Sequence, residues 1–259
     1  MNRQDTQAYL DKKRFFNRFL TVYGRKPVLE ALQQPELSPY RLHLADSNKS
    51  SAALDQLIAL ARLRGAEICY HNRQALSRIS RSARQDQGVA IDVKCPQMQS
   101  LEDFLSAHHA QPFTLLALDG VTNPQNLGMI IRSATAGRID GILLPTKGGA
   151  NIDPLVIKAS AGTVFRAPLL RTELPLHQAL TQCLQAGADI CGLSSHAPQS
   201  LQTFRPQQAC VFVLGNETSG VSSEVQKICT QWVSIPMNNG VESLNVAVTA
   251  ALIAFRHSD

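Results

Sequence analysis

The chain has 259 residues, 44% of them hydrophobic and 17% charged, which describes a folded globular protein and excludes a disordered one. No apolar run reaches membrane-spanning length and the polar, basic start has no signal-peptide core, so a cytoplasmic protein with no membrane partner is expected. The net charge of +5 is uneven: residues 1–95 carry 16 Lys/Arg against 9 Asp/Glu, the rest 9 against 11. The front half is therefore expected to meet a polyanion, with a merely solvated basic surface as the alternative.

Residues 1–20 place Tyr9, Leu10, Phe15, Phe16, Phe19 and Leu20 among Lys12, Lys13, Arg14 and Arg18 at three- and four-residue spacing. This reads as a short amphipathic helix with a basic face, resting on RNA, on a partner subunit or on its own domain. From Tyr23 an α/β pattern follows. Helices are expected at 27–34, 52–64 and 73–79, the last capped by Asn72, and strands at 40–45, 66–71 and 88–94. Between the last helix and strand, Arg78, Arg81 and Arg84 stand at three-residue spacing among Ser and Gln, a composition suited to phosphate and ribose contacts. A plain solvated loop is the alternative. Residues 95–112, with two prolines and a polar His108-His109 exit, read as a domain linker containing a short helix at 101–107.

The second half alternates strand and helix with short loops, the pattern of a largely parallel sheet covered on both faces. Strands are expected at 113–118, 141–145, 167–171, 189–193, 211–214 and 232–235, and helices at 129–137, 154–159 and 176–185. The final helix, 246–255, is apolar enough to be expected buried along most of its surface. The strands at 211–214 and 232–235 stop at loops rich in Gly and Asn, and Ser243-Leu244-Asn245 opens the last helix. Together these ends form a small-molecule crevice at the carboxyl edge of the sheet.

Familiar site chemistries are absent. No GxGxxG follows a strand, and no GxxxxGK[ST], GxSxG or HExxH occurs. The six cysteines, at 69, 95, 183, 191, 210 and 229, form no CxxC and no Cys/His pairing of the kind that signals zinc, so reduced buried thiols and no metal are expected. The crevice loops are rich in amide and small side chains and poor in nucleophiles, which suits a ligand that brings its own reactivity.

Three stretches, DGVTNPQNLGMIIRSA (119–134), LGNETSG (214–220) and IPMNNGVESLNVAVTAA (235–251), resemble in order, spacing and content the signature motifs of the SpoU/TrmH family. That family belongs to the SPOUT superfamily of S-adenosylmethionine-dependent RNA 2′-O-ribose methyltransferases. YGRKPVLEAL (23–32) and DQGVAIDV (86–93) resemble the ends of its N-terminal substrate-binding domain. The resemblance implies an α/β fold with a C-terminal SPOUT domain, 113–259, whose end is threaded as a deep trefoil knot. A smaller α/β RNA substrate-binding domain, 23–94, would precede it after a basic extension, 1–22.

The resemblance further implies that Leu214, Gly215, Ile235, Met237, Ser243 and Leu244 hold S-adenosylmethionine, that S-adenosylhomocysteine is the product, and that no metal takes part. Asn126, Arg132, Glu217 and Asn245 match catalytic positions, and Arg25 joins Arg78, Arg81 and Arg84 as an expected RNA contact. The family works as a homodimer with sites near the interface. Thr218 and the turn Arg138-Ile139-Asp140 depart from the usual pattern. The two-domain layout ranks large-subunit ribosomal RNA first as substrate and transfer RNA second; a non-catalytic RNA-binding homologue is the alternative of a different class, and a small-molecule α/β enzyme with an incidental basic domain the last.

Overall fold

The computed structural model describes residues 15–145 and 148–256. It divides into two compact units, Met1–Pro96 with Ile152–Pro154, and Gln97–Asn151 with Leu155–Asp259.

The N-terminal unit runs β1 (Phe19–Tyr23), α1 (Arg25–Gln33), β2 (Ser38–Ala45), α2 (Ala52–Leu63), β3 (Glu67–His71), α3 (Arg73–Ser80) and β4 (Val89–Lys94). Its sheet has the order β1-β4-β2-β3; β4 is antiparallel to β1 and β2, and β2 is parallel to β3. Alternation along the strands gathers Leu20, Val22, Leu42, Leu44, Val89, Ile91 and Val93 on one face, none more than 4% exposed. Burying side chains of this size contributes about 1.5–3 kcal/mol each. On the other face Leu76 of α3 packs with Tyr23, Ala45 and Ala90. Asn72 caps α3 as expected, its side chain accepting from Ala75 N at 2.8 Å.

One expectation for this region is corrected. Residues 1–14 lie outside the described residues, but the amphipathic helix does not reach residue 20: Phe19 and Leu20 are buried in β1, which pairs along its length with β4. Phe15 and Phe16 lie on the same unit, in ring contact with Phe19, and Phe15 also with Tyr40. Aromatic spacing suggested a helix, yet a β-branched and aromatic run, FLTVY, found a sheet edge.

The C-terminal unit runs β5 (Gln99–Ser100), α4 (Leu101–Ala107), β6 (Thr114–Leu118), α5 (Pro124–Ala136), β7 (Gly141–Pro145), α6 (Pro154–Ala159), β8 (Leu169–Thr172), α7 (Leu176–Gln185), β9 (Asp189–Leu193), β10 (Gln199–Ser200), β11 (Cys210–Leu214), α8 (Ser223–Gln226), β12 (Gln231–Ser234) and α9 (Val246–Ala254). Its eight strands pair in parallel in the order β10-β12-β9-β11-β6-β7-β8-β5. From β6 the chain moves outward through β7 and β8, then crosses to β9 on the far side of β11. The β6–β11 seam is therefore the topological switch point, where a parallel sheet opens a crevice at its carboxyl edge.

The stretch expected as a linker, 95–112, is largely part of this unit. Gln99–Ser100 pairs with β8, and Leu101 and Phe104 are fully buried in the core. His108 is not simply solvated: its ring stacks on Phe104 at 4.0 Å and its Nδ1 lies 2.9 Å from Phe104 O. The prolines misled because they sit outside the helix rather than within a flexible stretch.

Helix α5 begins at Pro124, five residues before its expected start. Asn123 caps it, accepting from Gln125 N at 2.8 Å and Asn126 N at 3.3 Å, and Pro124 occupies the first turn, where its missing N–H costs nothing. Helix α9 is also less buried than expected. It buries Val246, Ala247, Ala250, Ile253 and Ala254 but leaves Val248 48%, Leu252 42% and Phe255 46% exposed, one stripe at four- and three-residue spacing. A Cβ at Gly137, at the end of α5, would lie 2.6 Å from Ala254 O, so the two helices approach there more closely than any side chain allows. The turn that departs from the family pattern is built into the unit: Arg138 N donates to Ala254 O, Ile139 is buried, and Asp140 Oδ2 accepts from Thr114 N at 2.7 Å.

Candidate active site

The crevice is assembled from the loops that leave β6, β11 and β12 and from the start of α9. Gly215 follows β11 with its backbone against the return of its own loop: a Cβ there would stand 2.3 Å from Gly220 C and 2.4 Å from Val221 N. Asn216 closes that loop, exchanging two backbone bonds of 2.9 Å with Gly220 while its Oδ1 accepts from Thr218 N, Ser219 N and Ser219 Oγ. Its Nδ2 donates to Gly120 O at 2.8 Å, tying the loop to the one that follows β6. Asp119 adds a second tie, accepting from Ser222 N at 2.6 Å. Thr218 contributes only its backbone and an exposed side chain, so its departure from the usual small residue leaves the loop intact.

Three of the four expected catalytic residues come together. Asn126 on α5 is buried and donates from Nδ2 to Glu217 Oε1 at 2.7 Å; its Oδ1 accepts from Asn245 Nδ2 at 3.1 Å. Asn245 in turn caps α9, its Oδ1 accepting from Ala247 N at 2.8 Å. Both ends of this relay are chemically fixed, since an ionised carboxylate only accepts and a helix N–H only donates. The two amides between them have one consistent orientation, and the relay joins loop 215–220, α5 and α9.

Arg132 is the fourth, and it stands apart. It lies six residues beyond Asn126, about 9 Å along the helix axis, and hydrogen-bonds to no described residue. Gln125, Met129, Arg132 and Ala136 make up the exposed stripe of α5, whereas Asn126 belongs to the buried one. Among the described residues Arg132 has no hydrogen-bond partner; it is exposed beside Met129, outside the amide relay.

The expected cofactor residues line the same edge. Leu214 is buried at the end of β11, Gly215, Ile235 and Met237 are half-buried, and Ser243 and Leu244 are exposed. The backbone N–H groups of Gly215, Ile235 and Leu244 donate to no described residue. Three such amides, two of them just past the carboxyl ends of β11 and β12 and the third at the start of α9, suit a heterocycle and a ribose held mainly by backbone. Asn216 and Asp119 were missed from sequence; the only signal was that Asp and Asn stood at the first bends after two buried strands.

In the N-terminal unit, Arg25 lines a groove of 690 Å³ with Lys49, Arg73, Asn48, Ser50 and Gln87 among its walls. Arg78, Arg81 and Arg84 are exposed but are not among the groove's lining residues. Their loop folds around buried Asp86, which accepts from Ser80 Oγ at 2.8 Å and Gly88 N at 2.9 Å. Asn48 Nδ2 donates to Gly88 O at 2.7 Å, joining the two loops that flank the groove. Lys49 and Arg73 were not singled out from sequence because single cations in polar loops carry no pattern.

Among known proteins, residues 113–255 match the model of the SpoU rRNA Methylase family, and residues 21–99 match that of the RNA 2′-O ribose methyltransferase substrate-binding domain. A protein of Mycolicibacterium vanbaalenii described as an uncharacterized tRNA/rRNA methyltransferase is 32% identical over 234 residues, 90% of this chain and 74% of the relative. An AdoMet-bound rRNA methyltransferase from Sinorhizobium meliloti superposes with a TM-score of 0.60 at 25% identity, over 95% of this chain and 89% of that one. The SpoU methyltransferase AviRb from Streptomyces viridochromogenes shares the fold at a TM-score of 0.60 and 24% identity, over 95% and 90%. The parallel sheet, the crevice at its switch point and a family match over more than half the sequence lead to one conclusion: this chain belongs to the SpoU family of RNA methyltransferases.

Proposed function

We propose that the protein transfers a methyl group from S-adenosylmethionine to a ribose 2′-hydroxyl of structured RNA, with ribosomal RNA ranked before transfer RNA. The observation that carries this reading is the relay Glu217–Asn126–Asn245 at the carboxyl edge of β6 and β11, together with three backbone amides that donate to no described residue. The cofactor supplies a methyl already activated by its sulfonium. What the protein must add is placement of the hydroxyl in line with that methyl and help in losing its proton.

Leu214, Gly215, Ile235, Met237, Ser243 and Leu244 orient the cofactor, with the chain end threaded beneath them as the family resemblance implies. Glu217, Asn126 and Asn245 fix the loops in one arrangement before substrate arrives. Arg132 binds the phosphate next to the target ribose and stabilises negative charge developing on the 2′-oxygen. A guanidinium with a pKa above about 12 is poorly suited to act as a base, so the proton leaves to another acceptor.

Two copies are proposed to pair through the exposed stripe of α9, since contiguous apolar surface of this kind marks an interaction site. Arg132, beside exposed Met129 and outside its own chain's relay, would then act where the two copies meet. The N-terminal unit presents Arg25, Lys49 and Arg73 to the RNA backbone, with Arg78, Arg81 and Arg84 extending the contact. Six free cysteines fit a reducing, cytoplasmic setting.

Labelled methyl offered with total RNA from a strain lacking the protein tests the substrate ranking. Label in ribosomal RNA supports the ranking and label only in transfer RNA reverses it. Cofactor binding without transfer to any RNA would favour the non-catalytic reading.

A further inference from the structure

A cluster of side chains able to hold a metal ion lies in the N-terminal unit, among residues that the proposed transfer does not use. Cys69 and His71 stand two apart on the edge strand β3 and therefore share a face of the sheet. The β2–β3 register sets His43 directly opposite Cys69. One ligand atom from each of the three residues lies within 4.8 Å of the other two. We propose that His43, Cys69 and His71 form a three-ligand site for a zinc-type divalent cation, with a fourth position open to water.

The surroundings of His43 support this reading. Its Nε2 lies 3.1 Å from Asp92 Oδ2, and Asp92 Oδ1 accepts from Thr21 Oγ1 at 2.7 Å. A carboxylate on one ring nitrogen fixes the tautomer and turns the lone pair of the other toward a metal, the usual support for a histidine ligand. That other nitrogen, Nδ1, sits 2.9 Å from His71 Nε2. Two nitrogens on a tetrahedral zinc at about 2.0–2.1 Å stand about 3.3 Å apart, so a few tenths of an ångström separate the present pair from a liganded one. Two imidazoles and a thiol form a set that selects zinc over magnesium or calcium. Glu67, also on this face of β3, is held by Arg41 at 2.6 Å, which leaves three protein ligands. His43 is buried while Cys69 and His71 are half-buried, so an ion can enter from the edge.

A bound ion would clip the edge strand to β2, independently of the chemistry at the other unit.

The test uses the full-length, tag-free, reduced protein stripped with chelator and titrated with cobalt(II), then zinc(II). The expected result is one ion per chain with thiolate-to-cobalt charge-transfer absorption that zinc abolishes. C69S should lose that absorption and bind zinc at least about tenfold more weakly, and D92N should weaken zinc by about 10–100-fold. H71A serves as a second ligand variant should C69S fail to fold by circular dichroism. Natively folded wild type without thiolate–cobalt absorption, or ligand variants with undiminished zinc affinity, would overturn the site.

Discussion

Asn126 is the residue on which the candidate site turns, because it is the only side chain that joins both other members of the relay. Replacing it with alanine strips Glu217 and Asn245 of a partner at once. Each such loss costs about 1–3 kcal/mol when the group left behind is buried, and less here because both lie toward solvent. The expected outcome for N126A is a folded protein with lower kcat and little change in cofactor affinity, read by single-turnover transfer beside calorimetry with S-adenosylhomocysteine. Arg132 behaves differently, since it is exposed and hydrogen-bonds to no described residue. R132K should keep cofactor affinity and stability and lose about 10²–10³-fold in transfer, the scale of removing one oriented donor from a developing oxyanion; unchanged turnover would refute its assignment. Two of the thiols are not reactive groups at neutral pH: burial pushes Cys183 up to about 12 and Cys229 up to about 11. Alkylation of the folded protein should therefore spare both until pH rises toward those values.

At the scale of elements, helix α9 couples the site to the outside of the unit. Its start holds Asn245, its buried stripe packs on α5, and its exposed stripe of Val248, Leu252 and Phe255 is the proposed contact between two copies. L252E should leave the isolated chain folded and convert a homodimer into monomers, measured by analytical ultracentrifugation; unaltered mass would place the interface elsewhere. At Gly137 a methyl group would meet Ala254 O at 2.6 Å, so G137A is expected to cost about 1–3 kcal/mol in denaturant unfolding. These elements also mark how far the sequence could be read. Strand–helix alternation, the helix at 176–185 and the strand at 189–193 were legible from apolar runs and glycine stops alone. The start of α5 was legible too, in Asn123-Pro124, but the apolar run from Met129 drew the boundary inward. The relay was not derivable without a likeness, because Asn126, Glu217 and Asn245 are up to 119 positions apart and amides carry no spacing rule. The ligand set proposed at Cys69 and His71 has no counterpart among zinc spacings set by turns, since in a strand a separation of two is what puts two side chains on one face.

For the whole molecule, charge and chemistry are divided between the units. The basic excess of residues 1–95 and the groove lined by Arg25, Lys49 and Arg73 fit the RNA contact proposed for the first unit, and the switch-point crevice fits the transfer proposed for the second. Binding should weaken steeply with salt, and K49A or R73A should each lower the slope of log K against log salt by about one while leaving cofactor binding unchanged. The chemistry itself is tested most directly by where the methyl ends up. Alkali cleaves RNA through attack of the 2′-oxygen on the adjacent phosphate, so a 2′-O-methyl blocks cleavage at that one position and a base methyl does not. Labelled RNA from the wild-type protein should yield its label in an alkali-resistant dinucleotide, and R132A should yield almost none. Label released in mononucleotides, with R132A as active as wild type, would contradict the account.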